Sequence, residues 1–222
     1  FGVHRLGDIF NEVDEDVRRD QIIQLWRRYG KYFVALLVLV IVGTGANVAW
    51  NHFKTQRMMA DGSSFAAAMS LAQIGQYEQA ARSFSDLAAN SGVGYSQLAQ
   101  LQKAAALIAV DNYTEAISVY DGLAALSSTD TIVADLATIL AGLHRIDSGR
   151  EDEAAITLLK ISESNGPWRH VAREMRAMAL LESGDKTLGH AILTSLVDDP
   201  TSPSGVRSRA IEVLGTLNSS AN

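Results

Sequence analysis

Positions 32–50, YFVALLVLVIVGTGANVAW, are predominantly apolar, with no charge anywhere in the stretch and an unbroken apolar run over 33–42. At a rise of about 1.5 Å per residue, a helix of that length covers roughly 27 Å, close to the hydrocarbon thickness of a bilayer. The pattern predicts a membrane span over residues 32–53. Trp26, Tyr29 and Tyr32 stand at one end, Trp50 and Phe53 at the other, where amphipathic rings prefer the headgroup level. Upstream, Val17, Ile22, Leu25, Trp26 and Tyr29 recur at helical spacing beside arginines, which predicts a basic amphipathic helix within residues 1–31 at the membrane surface. Arg18, Arg19, Arg27, Arg28 and Lys31 precede the span, and only Lys54 and Arg57 closely follow it. That bias puts the N-terminus in the cytoplasm and the chain after residue 53 on the other side. A signal peptide fits poorly, because the segment before the apolar run is long and rich in acids and no small-x-small cleavage site follows. Within the span, Gly45 and Ala49 form a small-xxx-small pair of the kind that seats a partner helix. Phe1 is not an initiator methionine, so further residues are expected upstream.

Beyond the span the apolar pattern becomes periodic, and it repeats. Four segments share a turn followed by a helix: GQYEQAARSF from Gly75, DNYTEAISVY from Asp111, GREDEAAITL from Gly149 and GDKTLGHAIL from Gly184, at steps of 36, 38 and 35 residues. These residues resemble tetratricopeptide repeats, whose period is about 34 residues and whose turn joins two antiparallel helices. Each position has a physical job. Glycine at the first position can take the left-handed conformation that ends the first helix. The aromatic two later (Tyr77, Tyr113) covers the junction, and the small residue five later (Ala80, Ala116, Ala154) permits close approach. The large residue nine later (Phe84, Tyr120) fills the space between helices. Ala68, Ala104, Gly142 and Ala177 supply the small residue on the preceding helices. The third and fourth units depart from the pattern with Glu151 and Lys186 at the aromatic position and Gly189 where Ala is usual. Units are expected near residues 60–93, 94–128, 130–165 and 167–200. After the helix-breaking DDPTSPSG, a capping helix over 205–218 closes the open stack. The fold class read from the sequence is thus all-α: one N-terminal transmembrane helix followed by a tetratricopeptide-like solenoid over residues 54–222.

Composition narrows the function. With 47% hydrophobic and 20% charged residues in 222, the chain has enough apolar material for an anchor and one real core. Cysteine is absent, which removes disulfides, thiolate nucleophiles and zinc ribbons. Up to Trp50 the chain carries six Lys/Arg and six Asp/Glu, leaving 13 against 19 for the rest. An acidic body argues against nucleic acid as a partner. The five histidines, His4, His52, His144, His170 and His190, are dispersed with no pair at helical ligand spacing, so no metal or cofactor is expected. Glu151, Asp152 and Glu153 open a predicted helix, where negative charge complements the helix dipole. No phosphate loop, dinucleotide fingerprint or nucleophile elbow is present, and no catalytic residue is assigned. Arg169, Arg173 and Arg176 share one helix face by their spacing, a candidate docking patch for an acidic segment.

The whole arrangement, FNEVDEDVRRDQ before a WRRYGKY stretch leading into the span, an aromatic exit and degenerate repeats, resembles the ancillary Sec translocon subunit family of Gram-negative inner membranes in its alphaproteobacterial form. That resemblance implies a single-pass inner-membrane protein with a periplasmic repeat domain. Its partners are then membrane lipid, the translocon and a membrane-anchored periplasmic chaperone of the prolyl isomerase type, and its role is that of a scaffold or co-chaperone. The alternative is an accessory subunit of another inner-membrane complex, respiratory or envelope-building.

Overall fold

A computed structural model describes the backbone of residues 6–220 and the side chains of residues 26–217 and 219. The side chains of Val17, Arg18, Arg19, Ile22 and Leu25 lie outside the described residues, as does Phe1. Among the described residues all regular structure is helical: α1 (Leu6–Gln73), α2 (Tyr77–Asn90), α3 (Val93–Ile108), α4 (Tyr113–Ala125), α5 (Thr131–Asp147), α6 (Glu151–Ser162), α7 (Arg169–Glu182), α8 (Lys186–Asp198) and α9 (Ser204–Ser220). By contact the chain divides into residues 1–56 and 57–222. The residues from 6 to 73, where the sequence predicts three consecutive elements, fold as one helix, α1, within which no proline interrupts the backbone ladder.

In the second unit, consecutive helices pack as neighbours in chain order from α2 to α9, the nearest-neighbour economy of a repeat stack. The four turn positions show why the chain reverses where it does. Gly75, Asp111, Gly149 and Gly184 have φ of +80°, +58°, +73° and +101°. At the first, the Gly75 N–H bonds Ala72 O (3.0 Å) and the Gln76 N–H bonds Leu71 O (2.9 Å), the paired closure that satisfies the last carbonyls of a helix through a left-handed residue. The same pairs recur as Asp111 to Ile108 and Asn112 to Leu107, then as Gly149 to Ile146 and Arg150 to Arg145. Caps then restart the chain: the Asn112 side chain accepts from the Glu115 N–H (3.4 Å) and donates to Glu115 Oε2 (3.0 Å), and Asp185 accepts from the Leu188 N–H (3.0 Å), meeting otherwise orphaned donors.

Asp111 is the non-glycine exception among these turns, with its Cβ in the left-handed region that costs an L-residue roughly 1–2 kcal/mol. Asp111→Gly is expected to stabilise the fold by about 0.5–1 kcal/mol, once the greater freedom of glycine in the unfolded chain is deducted. Asp111→Ala, which keeps the Cβ, is expected to give no gain. Urea unfolding followed by circular dichroism checks both, and equal behaviour of the two variants would remove the conformational explanation.

The core follows the repeat positions. Ala68, Ala104, Ala177, Ala80, Ala116 and Ala154 are buried, as are Phe84, Tyr120, Leu158 and Leu193 at the large position. Phe65 meets Phe84 with ring centroids 5.5 Å apart, an edge-biased aromatic contact. The two glycines at small positions mark the closest approaches: a Cβ on Gly142 would lie 2.8 Å from Leu158, and one on Gly189 would lie 2.7 Å from Leu181 Cγ and 3.1 Å from the Ala177 carbonyl. Gly189, which departs from the alanine of the pattern, thus lets α8 sit nearer α7 than alanine permits.

Candidate interaction surfaces

In the first unit, residues 33–42 of α1 present their large side chains to the outside, from Leu37 at 47% to Leu39 at 69% exposure. Among the described residues α1 is the helix long and apolar enough to cross a membrane. Two of its polar side chains bond within the helix: Thr44 Oγ1 donates to Val40 O at 2.8 Å, and Asn51 Nδ2 donates to Asn47 Oδ1 at 3.4 Å. The Trp26 indole covers Gly30 and meets the Phe33 ring at 5.9 Å, and Lys31 Nζ stands 5.1 Å from the Tyr32 ring centroid. Gly45 and Ala49 line a shallow apolar notch with Val40, Ile41, Thr44 and Val48, and a Cβ at Gly45 would meet nothing within 4 Å.

In the repeat unit a groove of about 570 Å³ runs between α2, α3 and the start of α4, lined among others by Glu78, Arg82, Ser85, Lys103, Val110 and Glu115. Its charges are largely matched: Lys103 Nζ is 3.6 Å from Glu115 Oε1, and Arg82 is 4.0 Å from Glu78. Further along, Arg145, with 12% of its side chain exposed, reaches Asp121 at 2.6 Å and Glu153 at 3.5 Å. It ties α4, α5 and α6 together. His144 beside it stacks on Tyr120 (5.9 Å, 11°), lies 6.2 Å from the Tyr113 ring and pairs with Asp147 at 3.0 Å. Burial pushes the Tyr120 hydroxyl up to about 12, so it stays protonated at any physiological pH.

Arg169, Arg173 and Arg176 have partners inside the chain. Arg169 donates to Thr201 Oγ1 (3.0 Å), Arg173 Nε donates to Ser162 O (2.8 Å) and its other nitrogen approaches Asp199 (3.7 Å), and Arg176 approaches Glu163 (3.8 Å). The face they share is committed to the α6–α7 and α8–α9 loops, and an incoming acidic segment would have to compete with these contacts. Arg209 of α9 forms a two-pronged pair with Glu174 of α7 at 2.5 and 2.6 Å, which raises the guanidinium pKa through the hydrogen bonds and the carboxylate charge.

His170, at the start of α7, sits among Ser202, Asp199 and Thr201 in a constellation that invites comparison with a hydrolytic triad. The geometry argues otherwise. Ser202 Oγ (3.3 Å) and Asp199 Oδ2 (3.8 Å) both approach the same ring nitrogen, Nδ1, whereas a nucleophile and its orienting acid need opposite nitrogens. Ser202 is moreover buried. Among the described residues no group of three or more His, Asp or Glu side chains is placed to hold a metal ion. No spacing in the sequence announces the His170–Ser202 contact or the Arg145–Asp121 pair, because each joins residues more than twenty positions apart.

Residues 24–191 match the family described as tetratricopeptide repeat-like domain. That match covers well over half of the chain. The chain belongs to this family. The matched region takes in the apolar stretch of α1 and the helices up to the first half of α8, and it stops short of α9. A search of curated proteins and a search of solved structures each returned no match. Tetratricopeptide-like repeats generally mediate protein–protein interaction, and a domain of this type is typically a non-catalytic interaction scaffold.

Proposed function

We propose that the protein is a membrane-anchored interaction scaffold, with its N-terminus in the cytoplasm and its repeat domain in the periplasm of a Gram-negative cell. The observation that carries this reading is the join of two features in one family match: an exposed apolar helix of spanning length and a tetratricopeptide-like repeat unit. In this reading residues 32–53 span the bilayer, with Trp26, Tyr29, Tyr32 and Trp50 at its two faces and Arg27, Arg28 and Lys31 on the cytoplasmic side. Residues 1–31 lie against the inner surface, and residues 54–222 do the binding. The resemblance to the ancillary Sec translocon subunits supports association with the translocon and with a membrane-anchored periplasmic chaperone, where a scaffold would help hand over emerging proteins. The alternative, a subunit of another inner-membrane assembly, uses the same anchor and repeats.

The absence of cysteine makes the topology test clean. A single cysteine at exposed Asn90 (Asn90→Cys) is expected to react with a membrane-impermeant maleimide in intact spheroplasts. Labelling only after lysis would reverse the orientation. Purification in mild detergent is then expected to recover translocon or chaperone subunits in stoichiometric amount, and stoichiometric recovery of a different membrane complex would select the alternative.

A further inference from the structure

Among the described residues the buried polar or charged ones are Ser162, His170 and Ser202, and two of these three face each other. The hydrogen-bond directions point to one form of the histidine. Thr201 Oγ1 lies 2.6 Å from Asp199 Oδ1 and must donate there, since a carboxylate only accepts. The lone pairs of the hydroxyl are then open to donors, Arg169 at 3.0 Å and, at 3.4 Å, His170 Nε2, an arrangement that is met when Nε2 carries the proton. Nδ1 is left with its lone pair and takes the Ser202 hydroxyl at 3.3 Å. Neutral His170 therefore meets a donor and an acceptor from one short loop, residues 199–202, and holds that loop on the first turn of α7.

The loop in turn sets the start of α9. Arg207 donates to the carbonyls of Asp199 (3.0 Å) and Ser202 (3.1 Å), and Val206 is buried in the cluster formed with Ala177, Leu193, Leu196 and Ala210. A proton added at Nδ1 takes away the lone pair that receives the Ser202 hydroxyl. It also places a positive charge on a buried ring beside Arg169 and Arg173 on α7. The one opposing charge is Asp199, 3.8 Å away, and it is already engaged by Thr201 and Arg173. Burial first, then the Arg169 charge, lower the His170 pKa from its ordinary value of 6.5; Asp199 opposes them and Arg173 adds to them.

We propose that the α8–α9 loop is a pH-responsive latch: neutral His170 clamps residues 199–202 against the start of α7, and protonation frees that loop and the first turn of α9. The sign follows from linkage. A histidine whose folded pKa lies below its unfolded value binds fewer protons when folded. The latch is at full strength above the unfolded value of 6.5, weakens as pH falls through it, and weakens no further once pH is below the folded value. Asp199, held below its ordinary value chiefly by the Thr201 hydrogen bonds, stays ionised across this window and so does not share the titration.

The test is hydrogen exchange of the full-length protein in detergent micelles, read as protection factors so that intrinsic rates cancel. Between about pH 7.5 and about pH 5.5, protection of residues 201–207 is expected to fall three- to tenfold, within the limit of tenfold per pH unit for one proton. Protection in α2–α4 should stay level. His170→Gln, which keeps a donor and an acceptor but does not titrate, should remove the pH dependence. Ser202→Ala, which removes the donor that favours the neutral ring, should move the midpoint to higher pH. Level protection in the wild type, an undiminished fall in His170→Gln, or an unmoved midpoint in Ser202→Ala would each overturn the latch.

Discussion

Phe84→Ala is expected to cost the repeat domain about 3–5 kcal/mol, the range for deleting a fully enclosed aromatic side chain. Phe84 has no solvent exposure and sits in a cluster that draws on α1, α2, α3, α4 and α5. Its ring faces Phe65, which in turn meets Tyr95 at 6.0 Å, so truncation opens a void that no neighbour can fill without a backbone shift. The loss is a large share of the roughly 5–15 kcal/mol that holds a typical domain together. It should also be uneven. The cluster under α7, α8 and α9, built on Ala177, Leu193, Leu196, Val206 and Ala210, is separate from the one around Phe84, and repeat stacks couple chiefly through neighbours. Hydrogen exchange in Phe84→Ala should therefore rise first in α2–α4 and later in α8. Urea unfolding by circular dichroism gives the total, and a loss below about 1 kcal/mol would mean that the site collapses around the void.

The second large effect concerns the proposed membrane span. Replacing Val38 and Val42 together by Asp places two carboxylates at the centre of the apolar stretch, where each costs about 2.5–3.5 kcal/mol of insertion free energy. Both positions are more than half exposed, at 53% and 63%, so the chain offers no counter-charge or cavity to hide them. The double variant Val38→Asp, Val42→Asp is expected to move from the alkali-resistant membrane pellet to the soluble fraction, whereas Val38→Leu with Val42→Leu stays in the pellet. Retention of the charged variant in the pellet would show that the membrane does not contact this stretch as proposed. The repeat unit should be indifferent to the change, since residues 57–222 form their own contact unit, and unchanged exchange in α2–α4 would confirm that the loss lies in the anchor.

What the sequence determined by itself is what local chemistry and period control. The turn positions 75, 111, 149 and 184 repeat at helical-pair spacing, and all four residues take positive φ, because ending a helix in a tight reversal demands that conformation whatever packs around it. The small and large positions follow from the same period, since residues three and four apart must share a helix face. The apolar run of α1 is legible for an equally local reason, its length against that of a bilayer. Tertiary structure alone decided where the polar side chains go. Arg169, Arg173 and Arg176 share a face by spacing, yet their partners are Thr201, Ser162, Asp199 and Glu163, brought beside them by neighbouring loops. His170 is no different by spacing from the other histidines, and it becomes a buried ring held by Thr201 and Ser202 only when the α8–α9 loop folds over α7. Likewise Gly189 departs from the repeat pattern until the 2.7 Å approach to Leu181 shows how little room α7 and α8 leave. Period and hydropathy act over a few residues, whereas a hydrogen bond between residues thirty apart depends on where two helices come to rest, and no spacing within either helix encodes that distance.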